Sequence, residues 1–125
     1  MRKRKPEAER KKPGLPPRRP FYNKIGFQVA PSLHAAMNDI AQERRIRFED
    51  VYTEAVQKLL DIRNSKTIVY TPSPPRRFAK RVTVFMEPSL AESARIVSQQ
   101  DQQRLVDFFQ TAAWLYLDSL NRLPS

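Results

Sequence analysis

The chain repeats itself once, without a gap, at an offset of 57 residues. Pro31-Ser32-Leu33 returns as Pro88-Ser89-Leu90, and the same offset superposes Ile25 on Val82, Phe27 on Val84, Val29 on Met86 and Ile40 on Val97. It also superposes Arg47 on Arg104, Asp50 on Asp107, Ala55 on Ala112 and Leu60 on Leu117. The repeats span residues 21–61 and 79–121, joined by a linker over 62–78 and preceded by an arm over 1–20. A unit of about 40 residues is too small to bury its own apolar face, so the two copies are expected to share one core and form a single domain over 21–121.

Within each copy the apolar spacing changes from two to three or four. Ile25, Phe27 and Val29 alternate with Lys24, Gly26 and Gln28, and Val82, Val84 and Met86 alternate with Arg81, Thr83 and Phe85. This is the pattern of a strand buried on one face. Pro31 and Pro88 stop the strands. Helices follow, with stripes at Leu33, Ala36, Met37, Ile40 and Ala41 and, after a break over 44–47, at Phe48, Val51, Tyr52, Ala55, Val56, Leu59 and Leu60. The last stripe is Leu105, Phe108, Phe109, Ala112, Ala113, Tyr116 and Leu117. Ser32 is placed to cap the first helix, and Ser89 with Glu92 to form a capping box. Prolines 72, 74 and 75 keep the linker from being one helix, and its run 67–70 suits an extended segment against the helices.

The side chains present exclude most catalytic chemistry. There is no cysteine, His34 is the only histidine, and the only glycines are Gly14 and Gly26. Thiolate and histidine-rich metal sites, histidine triads and glycine-rich phosphate loops are therefore absent together. The expectation is a non-enzymatic protein without cofactor or metal. No apolar run reaches the roughly 20 residues of a membrane span, which predicts a cytoplasmic protein with no membrane partner. His34 reads as a surface residue near a helix start.

Charge is placed unevenly. Of a net charge of +10, the arm carries nine Lys/Arg against two Glu, and residues 62–81 carry six Lys/Arg against no acid. The helical stretches 21–61 and 82–125 are slightly acidic. Positive charge confined to an arm and to one strand edge suits a polyanion held there. The arm, with five prolines and hardly any apolar residue, reads as a mobile segment making non-specific phosphate contacts.

Strand, proline stop, helix, break and helix, written twice at matching positions, resembles the ribbon-helix-helix family of DNA-binding proteins. The resemblance covers roughly residues 22–120. It implies a mainly α fold with one two-stranded antiparallel ribbon, a tandem ribbon-helix-helix pseudo-dimer in a monomeric chain. Strand 24–29 would pair with strand 81–86, with Gly26 near Thr83. The ribbon would enter the major groove of double-stranded DNA, with Lys24, Gly26, Gln28, Arg81, Thr83 and Phe85 at the base-reading positions. The resemblance places phosphate contacts at Arg47 and Arg104, where helix starts favour an anion. Arg44, Arg45, Arg76, Arg77 and Lys80 are the neighbouring candidates. Two features depart from the family: Phe85 is apolar at a reading position, and Arg44-Arg45-Ile46-Arg47 and Asp101-Gln102-Gln103-Arg104 replace the usual Gly-x-Ser/Thr break.

The two strands differ, so one chain would prefer a non-palindromic site, in contrast to a homodimer. Among single-chain members the chain looks most like a bacterial plasmid-encoded accessory protein of T-DNA transfer and virulence. That likeness implies a role in plasmid DNA processing, with a relaxase or a partition-type ATPase as protein partner. The alternatives are a transcriptional repressor or partition factor of the same fold, and a protein-interaction adaptor with a non-specific basic tail. Trp114 and Leu115, which replace Gln57 and Lys58 outside the first copy's stripe, are candidates for covering the linker or for a partner contact.

Overall fold

Both alternating segments are strands in the computed structural model, which describes residues 22–124. β1 is Asn23–Val29 and β2 is Lys80–Met86. They form a two-stranded antiparallel sheet with Ile25 opposite Val84, Gly26 opposite Thr83, Phe27 opposite Val82 and Gln28 opposite Arg81. Gly26 and Thr83 hold the same place in the two copies, so this register is unchanged when the copies are exchanged. The arm expected over residues 1–20 lies outside the described residues.

Four helices account for the longer spacing among the described residues: α1 (Pro31–Arg44), α2 (Phe48–Ser65), α3 (Pro88–Gln100) and α4 (Leu105–Ser119). α1 and α3 begin on proline, whose φ is already helical and whose missing N–H leaves nothing unsatisfied. The capping position therefore falls on Ala30 and Glu87, and Ser32 and Ser89 lie inside the helices. Neither helix has a side-chain cap. The cap expected from Ser32 and the box expected from Ser89 and Glu92 are thus not formed, and Glu92 pairs with Arg95 instead. The start of α1 is held from elsewhere: the Ala30 amide donates to Oε1 of the buried Gln110 at 2.9 Å.

The breaks between helices are built alike. Arg45 and Gln102 both take left-handed backbone, at φ 59° and 57°. The next amides reach back in the same way, Ile46 to the Ala41 carbonyl at 3.0 Å and Gln103 to the Ser98 carbonyl at 2.8 Å. This is the closure that glycine usually provides. A side chain in that conformation costs about 1–2 kcal/mol, offset in part by the greater freedom of an unfolded glycine. Gln102→Gly is therefore expected to stabilise the fold by up to about 1 kcal/mol, read as a higher denaturant midpoint at unchanged slope. A lower midpoint would show that the Gln102 side chain contributes more than its backbone costs.

The core lies between ribbon and helices. Phe27, Val29, Val82, Val84 and Met86 are buried from the ribbon, and each helix buries its stripe, with Ala36, Phe48, Leu60 and Leu105 at the margins. α2 and α4 pack against each other, α4 under β1 and α2 under β2. Each half's second helix thus supports the other half's strand. Phe27 sits at this crossing, stacked on Phe109 with ring centroids 4.2 Å apart and edge-on to Tyr52 at 5.3 Å.

The linker is tied down along its length. α2 continues to Ser65, past the expected end of the first repeat at Asp61. Beyond it Ile68 and Tyr70 pack on the core while Val69 between them is 85% exposed. The Tyr70 hydroxyl donates to Asp101 Oδ2 at 2.5 Å, the Thr71 amide to Thr111 Oγ1 at 2.8 Å and the Ser73 amide to Asp107 Oδ1 at 2.8 Å. Asp101 also receives Arg63 through both oxygens, at 2.9 and 2.7 Å. A 3-10 turn over Arg76–Phe78 then leads into β2.

Candidate nucleic-acid interface

A pleated strand turns alternate side chains to opposite faces, so burying one set displays the other. The outer face carries all six residues expected there. The register sets them in three facing pairs, Lys24 with Phe85, Gly26 with Thr83 and Gln28 with Arg81. Lys24, Gly26 and Arg81 are exposed, and Gln28, Thr83 and Phe85 are half-buried. The two strands present different chemistry at each level.

Gly26 has a local role on this face. A Cβ built on it would come 2.8 Å from Nη2 of Arg81, so the guanidinium lies across the ribbon over the glycine. The absence of a side chain at position 26 allows that pose, which sets five N–H donors at the centre of the face. A flat donor fork of this kind matches the O6 and N7 acceptors of guanine. Gln28 matches the adenine edge, and Thr83 suits a hydroxyl contact or a thymine methyl.

The basic candidates divide by their surroundings. Arg76 and Arg77 are exposed on the turn before β2, Lys80 is exposed on its first residue, and the Arg77 guanidinium lies 4.9 Å over the Phe78 ring. Arg47 and Arg104 stand at the capping positions of α2 and α4. Arg104 reaches Asp107 through Nε at 3.0 Å and Nη2 at 3.1 Å while its side chain stays 70% exposed. With Gln28, Arg76 and Val106 it borders a hollow of about 410 Å³ at one end of the ribbon. Arg45 is exposed at the left-handed break. Arg44 faces another way, with Nη1 and Nη2 on the two Glu54 oxygens at 2.7 and 2.8 Å and Nη1 3.3 Å from the Tyr116 hydroxyl. Arg44 thus joins α1 to α2 and α4.

Sequence reasoning missed the residues that position this face. Ser73 donates its hydroxyl to the Gln28 carbonyl at 2.8 Å and its amide to Asp107, fastening the end of β1 to α4. Only the repeat of Asp50 at Asp107 hinted at this, since the serine has no counterpart in the first copy. Arg95, on α3, borders a second hollow beside Lys24 with Tyr22 and Asn23. Its guanidinium pairs with Glu92. Trp114 is 38% exposed on α4, whereas Leu115 packs partly on the core.

His34 is not the surface residue expected. Its Nδ1 lies 3.0 Å from the Tyr52 hydroxyl, and its ring is 5.4 Å from Phe48 in an edge-on contact. Burial, and then the positive charge of Lys80, hold its pKa below the ordinary histidine value. The unfolded chain therefore takes up this proton first as pH falls through about 6.5, and folding stability is lost from there downward. The melting temperature is expected to fall from pH 7.5 to pH 5.5 and to be flat over that window in His34→Gln. Both proteins should lose stability further below about pH 4, because the partners of Asp101 and Glu54 hold those carboxyls low. An equal slope in the two proteins above pH 5.5 would remove His34 from this role.

Among the described residues no group of three or more His, Asp or Glu is placed to hold a metal ion, and no helix is long and apolar enough to cross a membrane. Comparison with protein-family models, curated proteins and solved structures finds no match to this chain.

Proposed function

We propose that this chain is a sequence-specific double-stranded DNA-binding protein that lays its ribbon in the major groove. The observation that carries the reading is the ribbon's outer face, where a symmetric register sets three unlike pairs of side chains beside an acid-free basic edge. The major groove, about 12 Å wide, admits a two-stranded ribbon. In this reading the chain is a ribbon-helix-helix pseudo-dimer whose two copies are related by an axis passing between Gly26 and Thr83. Because the readers differ, the preferred site is non-palindromic and is bound in one orientation.

The cellular role rests on resemblance alone. The chain looks most like the accessory protein of the virC operon of Agrobacterium tumour-inducing plasmids, which binds near T-DNA borders and the overdrive enhancer. The proposed role is therefore assistance in plasmid DNA processing and transfer, with the exposed Trp114 as a contact for a DNA-processing protein. A repressor or partition factor would use the same ribbon, and the neighbouring genes decide between them.

Quantitative footprinting on plasmid DNA tests the reading. A discrete protected site is expected, with log K falling against log salt at a slope of about −5 if roughly six phosphates are neutralised. Removing residues 1–20 should flatten the slope and leave base preference intact. A protein that binds every duplex equally, loses all binding with the arm and ignores Arg81→Ala is an adaptor with a basic tail.

A further inference from the structure

The linker segment 71–73 runs along α4 against the helix direction: Thr71 meets Thr111, and Ser73 meets Asp107 about one turn nearer the start of the helix. Thr71 is held twice, its amide donating to Thr111 Oγ1 at 2.8 Å and its carbonyl accepting from the same hydroxyl at 3.2 Å. Pro72 lies before Ser73 and Pro74 and Pro75 follow it, so the backbone is restricted on both sides of the serine. A serine held in this way has little freedom left, and its hydroxyl goes to β1. It donates to the Gln28 carbonyl at 2.8 Å, across 45 residues of chain.

Gln28 faces Arg81 on the outer side of the ribbon. Its carbonyl and its side chain belong to one residue, so holding the peptide also sets the direction in which the side chain leaves the strand. The other contact of Ser73 leads to the basic margin. Asp107 accepts the Ser73 amide on Oδ1 at 2.8 Å and Arg104 on both oxygens, at 3.0 and 3.1 Å. Asp107 is 8% exposed in this arrangement, whereas Asp50, its counterpart at the repeat offset, is exposed. We propose that Ser73 is a positioning residue for base reading by Gln28, with Asp107 as its anchor. The proposal rests on the DNA-binding reading. Ser73 sets the peptide from which Gln28 reaches a base, and through Asp107 it keeps that peptide in step with Arg104 at the start of α4. The donor and acceptor of the Gln28 amide then meet an adenine edge in one orientation, with less freedom to lose on binding.

Ser73→Ala removes the hydroxyl and keeps the amide that Asp107 holds, and Ser73→Thr keeps both. In the full chain without DNA, the carbonyl carbon resonance of Gln28 is expected to move upfield in Ser73→Ala and to stay in place in Ser73→Thr. An unmoved resonance in Ser73→Ala overturns the link. In selection from a random duplex pool, Ser73→Ala should lower discrimination about threefold to tenfold at the position that Gln28→Ala relaxes, as one lost hydrogen bond would. The salt slope should not change, because Arg104 keeps its place. Threonine should restore the discrimination. In a Gln28→Ala background, Ser73→Ala should have no further effect at that position, since its action passes through Gln28. Equal weakening on all sequences, a further loss in the Gln28→Ala background, or no rescue by threonine makes Ser73 a stabilising residue only and overturns the proposal. Failure of the wild-type protein to bind any duplex overturns the DNA reading, whereas the carbonyl shift judges the link between Ser73 and β1 by itself.

Discussion

Replacing Arg81 with alanine is expected to weaken binding to the preferred duplex by about 1–3 kcal/mol and to relax selection at one base position. The size follows from losing a two-point donor to guanine, and the locality follows from the register. Gln28 faces Arg81 across the ribbon, so Gln28→Ala should relax a different, neighbouring position. Gly26→Ala is a sharper probe. The added methyl collides only with the mobile end of Arg81, so melting should barely change while discrimination shifts at the position that Arg81→Ala relaxes. Arg47→Ala, at a helix start, should weaken all sequences about equally. Selection of binding sites from a random duplex pool by each variant reads all four outcomes. A wild-type protein that binds a palindrome made from either half-site as tightly as the natural site does not read in one direction.

The repeat and its apolar spacing make the strands and helices legible in the sequence. Alternation located both strands and the facing of their six outer residues, because it leaves only one set of side chains for the core, whereas the register with Gly26 near Thr83 followed from the resemblance. The starts of α1 and α3 depart from the expected caps for a reason equally local. Serine after proline looks like a cap, but proline at the first helical position moves the cap one residue earlier, onto Ala30 and Glu87. The half-buried place of His34 is not legible in the sequence, because its partner Tyr52 lies 18 residues away on another helix, beyond any periodicity within α1. Ser73 was invisible for the same reason: its hydroxyl and amide act on β1 and α4 at separations of 45 and 34 residues. Of the basic candidates, sequence could not tell Arg44 from Arg45. Only the fold turns the first toward Glu54 and leaves the second at the break.

The two halves share their order of a strand and two helices but not their core side chains, and Phe27 is where the difference concentrates. Its counterpart is Val84, whereas its neighbours Tyr52 and Phe109 are counterparts of each other. A single ring therefore occupies the centre and touches the second helix of both halves. Phe27→Ala removes that stack and leaves a void that the ribbon cannot close without losing its register. The expected cost is about 3–5 kcal/mol, a large part of the 5–15 kcal/mol typical of a whole domain. Val84→Ala, which removes less volume at the related place, should cost about 2 kcal/mol. Urea titration followed by near-ultraviolet circular dichroism measures both. Because the reading face rests on this ring, Phe27→Ala should also bind its site in proportion to the folded fraction, and saturating duplex should raise its midpoint by mass action. A cost below about 1.5 kcal/mol for Phe27→Ala would mean that the ribbon is anchored elsewhere, and the ring's place between the two helices would then be incidental to the fold.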